Sequence, residues 1–395
     1  MPARSGAKLR EYHFLRALGR SAEVTYLYFR DPGAAPLTVE DFPFCREVVG
    51  IPKPPAYGAV QIARGIFGRW PLPILNYRSA EMSAAVRRAA DSGEFDIIHL
   101  DSIHMIRYAL AAERKNARKA IYSWHNIESE AMRRYSVTMP SRARRWYARY
   151  TAPKMARLED YILRTAFGHV VCSEREREVL RHTAPEARIE VIENGVDTGY
   201  FDGREGGTAS RRIIFVGAMD YPPNNDAAVF FANRIWPHIR KRLEGAELAI
   251  VGSNPFPAVL ALRELPGVTV TGFVPDVRPY YRDALAAIVP LHTGGGTRLK
   301  ILEAMAAGVP VVSTPLGAEG LDVADGENLL LAEPDDAEGW IDRLVRLEDS
   351  PALRGKLTEA GLQLVRSRYD WEILGEKLRA TYEGWVREDR RADKI

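Results

Sequence analysis

The residues best suited to chemistry are Arg298, Lys300 and Glu303, which follow an apolar run and a glycine cluster. The run Ala286–Leu291 predicts a buried strand, and Gly294, Gly295 and Gly296 come almost at once after it. Thr297 then opens a helical run that carries both cations and the carboxylate within its first two turns. Glycines let a ligand approach the backbone closely. A helix start presents free N–H groups and the positive end of its dipole. Arg298 and Lys300 add two full charges there, so the expected ligand is a phosphate. Glu303, about one turn further on, suits hydroxyl groups beside that phosphate. The plain alternative is a solvated basic helix face. The glycines in front of the pair favour the anion site.

Other residues carry weaker signals. His125, in Ser-Trp-His-Asn-Ile-Glu, follows the strand-like Ala120–Trp124, and open α/β sheets place ligand groups at strand ends. A turn histidine bonded to backbone is the alternative. Asn224 is read equally as a ligand contact and as a helix cap. No Asp-x-Asp pair occurs, so no metal-ligand motif stands out and no metal is expected. The stretch 131–158 holds eight Arg/Lys and no acid, with Trp146, Tyr147 and Tyr150 interleaved. It reads equally as a solvated helix pair and as a surface for an anionic membrane. No nucleic-acid motif accompanies it, and a net charge of +3 gives no reason to expect nucleic acid.

These residues need a scaffold, and the pattern predicts one. Val24–Phe29, Phe44–Val49, Phe95–Leu100, Ala120–Trp124, Val170–Cys172 and Ile189–Ile192 read as strands of a first sheet. Ile213–Val216, Leu248–Val251, Val268–Thr271, Ala286–Leu291, Val309–Ser313 and Leu329–Ala332 read as strands of a second. Helical stretches alternate with them, which predicts parallel sheets covered on both faces. A chain of 395 residues is long for one core. The expectation is two Rossmann-like domains, at 1–200 and 211–370, with a linker at 201–210 and a C-terminal helix at 371–395. Cys45 and Cys172 lie in apolar runs and are expected to be buried, reduced thiols. No apolar run reaches the length of a membrane span, and the N-terminus lacks a signal-peptide core. The expected location is cytoplasmic, free or peripheral at the inner face of the membrane.

The segment His292–Thr314 resembles the donor site of retaining glycosyltransferases of family four, which have the GT-B architecture. Further segments resemble the family in its order: Val191-Ile-Glu-Asn-Gly-Val-Asp197, Phe215-Val-Gly-Ala-Met-Asp-Tyr-Pro-Pro-Asn224, Val270-Thr-Gly-Phe-Val-Pro-Asp276 and Thr314-Pro-Leu-Gly-Ala-Glu-Gly320. The nearest likeness is to the subgroup with Gly-Gly-Gly-Thr-Arg-Leu-Lys-Ile-Leu-Glu-Ala, often tied to bacterial exopolysaccharide assembly. The resemblance implies a nucleoside-diphosphate sugar as donor and a glycan or polyprenyl-diphosphate-linked acceptor, with no cofactor. It implies a C-terminal helix that crosses back to the first domain. It places Glu303 on the ribose hydroxyls, His125 near the donor sugar, and the backbone of Phe273 and Val274 on the nucleobase. Phe273 reads equally as core.

The chain departs from the family in three places. Gly295 stands where the first carboxylate of a Glu-x7-Glu motif belongs, which leaves the sugar to backbone N–H groups of Gly295, Gly296 and Thr297 or to another side chain. Ala218 and Asn224 stand where many relatives carry an arginine and a lysine, so Arg298 and Lys300 become the diphosphate clamp. Gly6 and the helical run after it resemble the family's first loop and helix, but no strand precedes them. Either the translation start is misplaced or the first sheet lacks its opening strand. The expected function is metal-independent, retaining sugar transfer. A non-catalytic sugar-nucleotide-binding or scaffold protein is the rival. An epimerase on the same architecture would need acid/base carboxylates that the sequence does not identify.

Overall fold

The computed structural model describes residues 6–55, 58–92, 95–112, 119–139, 141–202, 210–294 and 298–392. The chain divides into two compact units. One is 1–193 together with 375–395, and the other is 194–374. The division therefore falls just before Asn194, inside the segment Val191–Asp197. Of the expected linker, 203–209 lie outside the described residues.

The second unit holds a six-stranded sheet. Its strands are β7 (Arg212–Val216), β8 (Glu247–Val251), β9 (Val268–Val270), β10 (Ala286–Val289), β11 (Val311–Ser313) and β12 (Leu330–Leu331). All pairings are parallel, in the order β12-β11-β10-β7-β8-β9. Strands covered on both faces need apolar residues throughout, and Ala286–Val289 are buried without interruption. Trp236 and Trp340 are among the largest fully buried side chains of this core. Their indole N–H groups donate to the carbonyls of Pro266 and Glu333, so neither polar atom is left unpaired. The strand order reverses between β7 and β10, and in open parallel sheets ligands gather at the carboxyl ends of such a pair.

The first unit differs from the single first sheet expected. β1 (Thr25–Arg30) and β2 (Glu47–Pro52) form a two-stranded parallel sheet. β3 (Ile98–Leu100), β4 (Ala120–Ser123), β5 (Gly168–Val171) and β6 (Ile189–Val191) form a separate four-stranded one. Among the described residues no strand bridges them. A cavity of about 1210 Å³ lies there, lined by residues of both β1 and β3. Residues 1–5, on which the expectation of a missing opening strand turned, lie outside the described residues. Cys45 is buried and precedes β2, whereas Cys172 is only partly buried just past β5, so one of the two expected buried thiols is not enclosed.

The opening helix, Gly6–Leu18, is locked in place by charge. Arg10 is fully buried, and its Nη1 donates to the carbonyls of Ile192 at 2.8 Å and Glu193 at 3.0 Å, just past β6. Its guanidinium also sits 4.2 Å above the Phe14 ring. The closing helix, Trp371–Ala392, joins the same unit from Gly375 onward. There Lys377 Nζ donates to the Val191 carbonyl at 2.6 Å, and Tyr382 Oη lies 2.7 Å from His99 Nδ1. Gly168 leaves room for the Trp385 ring, since a Cβ would collide with it.

Arg10→Ala removes a buried charge-assisted donor and strands two carbonyls. It is expected to destabilise the first unit by about 3 kcal/mol, read as an earlier transition in urea followed by far-UV circular dichroism. An unchanged midpoint would mean that water satisfies those carbonyls equally well.

Candidate functional site

In the second unit the strand switch point gathers the expected residues. β10 ends at Val289, and its loop reaches Gly294, which has φ +110°. A side chain there would be strained, and its Cβ would lie 2.9 Å from the Pro223 ring. Gly295, Gly296 and Thr297 lie outside the described residues. The next helix is Leu299–Ala306, so Arg298 occupies its N-cap position rather than its first turn. Arg298 is 5% exposed, and its Nη2 lies 3.5 Å from Glu319 Oε2. Glu319 itself is largely in solvent, so an incoming anion can replace it at modest cost.

Lys300 points at the end of β7. Its Nζ donates to Asn224 Oδ1 at 2.6 Å and stands 4.7 Å from the centre of the Phe215 ring. Asn224 Nδ2 donates in turn to the Ala218 carbonyl at 2.9 Å. This corrects the capping alternative. Tyr221 is the N-cap of the helix Pro222–Phe230, and Asn224 lies inside its first turn with its amide turned to the strand end. Gly217 makes the approach possible, because a Cβ there would be 2.7 Å from Asn224 Nδ2 and 3.1 Å from Lys300 Nζ.

Two ionisable groups here are poised near neutrality. Removal from water, reinforced by Arg298, pulls Lys300 down to about 7. Loss of hydration pushes the Glu303 carboxyl up to about 7 against the opposing pull of Lys300. The hydroxyl of Tyr281 is buried without a hydrogen-bond partner among the described residues, and Glu303 is close enough to help raise its pKa. Lys300 is thus a buried amine that is costly to keep charged, and strongly perturbed groups of this kind gather at functional sites. Phe273 is 63% exposed, so its reading as core is overturned by its position in the loop after β9. Val274 is partly buried against the core.

In the first unit His125 follows β4 and Asp101 follows β3, and both line the cavity between the two sheets. His125 Nε2 lies 3.0 Å from the Asp101 carbonyl oxygen and 3.3 Å from its Oδ1. A carbonyl only accepts, so Nε2 carries the proton and Nδ1 is the nitrogen left to act. Burial lowers the pKa of His125, but Asp101 outweighs burial and raises it above the ordinary 6.5. Burial would raise Asp101, yet His125 and His99 hold it at about 2. Burial together with Asp101 lifts Glu11, which accepts from Tyr26 Oη at 2.7 Å, to about 7. Gly6 begins the helix that carries Glu11.

The sequence reading had assigned no role to Asp101, Glu11, Gly217, Tyr281 or Glu319. Asp101 carried a signal, a carboxylate directly past a strand end. The others became visible only through what they touch.

The comparisons with known proteins now have a geometry to stand on. Residues 210–350 match the family described as Glycosyl transferases group 1, and residues 5–200 match Glycosyltransferase Family 4. Together they span most of the chain, and the chain belongs to this glycosyltransferase family, with the GT-B fold. It is 25% identical over 248 residues to a glycogen synthase of Mycobacterium tuberculosis, covering 60% of this chain and 59% of that protein. It is 31% identical over 208 residues to a phosphatidyl-myo-inositol mannosyltransferase of Mycolicibacterium smegmatis, covering 49% of this chain and 51% of that one. The chain thus spans about half to three-fifths of the length of these relatives. Among solved structures, the Anabaena protein HepE in complex with UDP and glucose superposes with a TM-score of 0.67 at 15% identity, covering 96% of each chain. At that identity the likeness concerns the fold.

Two measurements test the electrostatics without substrate. In an NMR titration His125 is expected to keep its second proton above 6.5, and Asp101→Asn to bring it down, because burial then acts unopposed. An unmoved titration would disconnect the pair. Lys300 has a folded pKa of about 7 against an ordinary 10.5, so between those values the unfolded chain holds a proton that the folded one lacks. Its penalty is full below pH 7 and fades as pH rises towards 10.5. Lys300→Met is therefore expected to stabilise the second unit by about 1–2 kcal/mol near neutral pH and by much less near pH 10, measured by denaturant titration at both.

Proposed function

We propose that the protein is a metal-independent, retaining glycosyltransferase that uses a nucleoside-diphosphate sugar. The single observation that carries this reading is the cluster of Arg298, Lys300, Asn224 and Glu303 at the switch between β7 and β10, within a chain of this family. Arg298 and Lys300 clamp the diphosphate, and the incoming charge restores full protonation to Lys300. Glu303 accepts from the ribose hydroxyls, and the backbone of Phe273 and Val274 meets the base. Gly295, Gly296 and Thr297 offer N–H groups to the sugar.

The reaction follows from charge. As the glycosidic C–O bond breaks, its electron pair goes to the departing phosphate oxygen. The two cations stabilise that growing charge more than they stabilise the ground state. The anomeric carbon becomes oxocarbenium-like, and the acceptor hydroxyl adds from the face the diphosphate leaves. Its proton passes to the released phosphate. His125, held by Asp101, hydrogen-bonds a sugar hydroxyl through Nδ1 and takes no proton from the acceptor. In this reading 211–370 bind the donor and 1–200 the acceptor, with Gly6 at the start of the loop-and-helix segment.

The acceptor is a glycan or a polyprenyl-diphosphate-linked glycan of a bacterial surface or secreted polysaccharide. The enzyme works at the cytoplasmic face of the membrane, touching it through 131–158. A relative named for a phosphatidyl-inositol acceptor supports a lipid-linked substrate.

Incubation with a panel of sugar nucleotides, with and without lipid-linked acceptor, tests the reading through release of free nucleotide. Arg298→Ala and Lys300→Ala are each expected to lower kcat/KM on the order of a hundredfold, about 2.7 kcal/mol. Arg298→Lys should recover only part, because an ammonium cannot make a planar two-pronged contact. Glu303→Ala is expected to weaken donor binding by about 1–3 kcal/mol and leave the fold intact. Activity should persist in EDTA. Tight nucleotide binding without turnover on any acceptor would favour a sugar-nucleotide-binding scaffold, and EDTA loss rescued by Mn²⁺ would defeat the cationic clamp.

A further inference from the structure

The first unit exposes an apolar patch that its own packing does not use. The short helix Ala59–Phe67 carries Val60, Ile62 and Phe67, all exposed, Phe67 at 88%. Val60 and Phe67 recur at the spacing of one helix face. Beside it runs the long helix Arg142–Thr165, where Trp146 is 58% exposed and stacks on Tyr150 with ring centroids 5.5 Å apart.

The two helices are fastened together. Tyr150 Oη donates to the Ile66 carbonyl at 2.6 Å. Lys154 Nζ donates to the carbonyls of Gly65, Ile66 and Gly68 at 2.8–3.0 Å. One lysine thus satisfies carbonyls that a helix C-terminus leaves open, and it fastens the end of the short helix, where Phe67 lies, to the helix that carries the Trp146–Tyr150 stack.

The charge around this patch has one sign. Arg64 and Arg69 are exposed at the short helix, and Arg142, Arg144, Arg149 and Arg157 along the long one. The sequence contains no Asp or Glu from 48 to 80, nor from 131 to 158. Among the described residues no helix is long and apolar enough to cross a membrane, so contact with a bilayer here would be lateral.

We infer that these two helices form a docking surface for an anionic lipid bilayer, with Phe67 and Trp146 entering the interface and the arginines meeting the headgroup phosphates. An exposed large aromatic ringed by arginines suits the boundary of acyl chains and anionic headgroups, where both kinds of side chain are satisfied at once. The inference deepens the peripheral-contact part of the function proposed above and rests on it. It adds the short helix, the inserting residues and the sign of the lipid.

The full chain would be floated with vesicles of phosphatidylcholine alone and of phosphatidylcholine mixed with phosphatidylglycerol. Binding is expected to the mixed vesicles only, weakening with salt. The double variant Phe67→Ser/Trp146→Ser and the double variant Arg144→Glu/Arg149→Glu should each lower it at least about tenfold. All four side chains are exposed, and circular dichroism confirms that the variants are folded. Absence of binding to mixed vesicles overturns the inference. So does binding that the aromatic variant leaves unchanged, which would mean that charge alone or another surface holds the lipid. Arg298→Ala serves as the control. It should float like the unaltered chain, and nucleotide release without vesicles separates failure of the patch from failure of the transferase reading.

Discussion

The second unit is organised around a cation that is hard to keep. Lys300 is drawn out of water, its pKa falls to about 7, and its ammonium donates to a neutral amide, Asn224. Such an arrangement costs stability. It persists because the backbone around it is committed. Gly217 opens the strand end, the Gly294 loop packs on Pro223, and Asn224 is braced on the Ala218 carbonyl. Each of these adjustments places positive charge at the one point where the strand order reverses. In the function proposed above, the donor's diphosphate is the anion that this charge would meet.

The first unit solves a related problem in the opposite way. Arg10 is more deeply buried than Lys300, but it finds carbonyls past β6 and the face of Phe14. Its role is to hold the opening helix. The perturbed groups are instead Glu11, Asp101 and His125, which share the cavity between the two sheets. There a carboxylate held at about 2 raises the pKa of a histidine against the effect of burial. Buried charge held by backbone carbonyls and an aromatic face builds structure, whereas a buried amine whose pKa is pulled down to about 7 points to a functional role. The distinction separates Arg10 from Lys300 better than exposure does.

The surface follows the same logic on a larger scale. Val60, Ile62 and Phe67 would normally turn inward, yet Lys154 and Tyr150 spend their hydrogen bonds on fixing this short helix with its apolar side outward. A patch held that firmly is a feature of the fold rather than a loose end of it.

Much of this was legible in the residues alone. Apolar runs of four to six residues that alternate with helical stretches determine strands and helices, because parallel strands covered on both faces must be apolar throughout. The glycines before Arg298 raised the expectation of a phosphate-type ligand for a local reason, since backbone approach and helix dipole both depend on near neighbours in sequence. The partners did not follow from sequence. Asn224 and Lys300 are separated by 76 positions, and whether Asn224 capped its helix or braced a lysine depended on which atoms the folded chain brought together. Asp101 and His125 follow different strands, and only the pairing of β3 with β4 sets them side by side. Nor did the sequence show that β1 and β2 stand apart from the four-stranded sheet, or that Phe273 faces solvent. Residue type and spacing determine local conformation and the kind of ligand a segment suits. Which side chains share a charge, and which strand edges meet, are contacts between distant parts of the chain and are decided by packing.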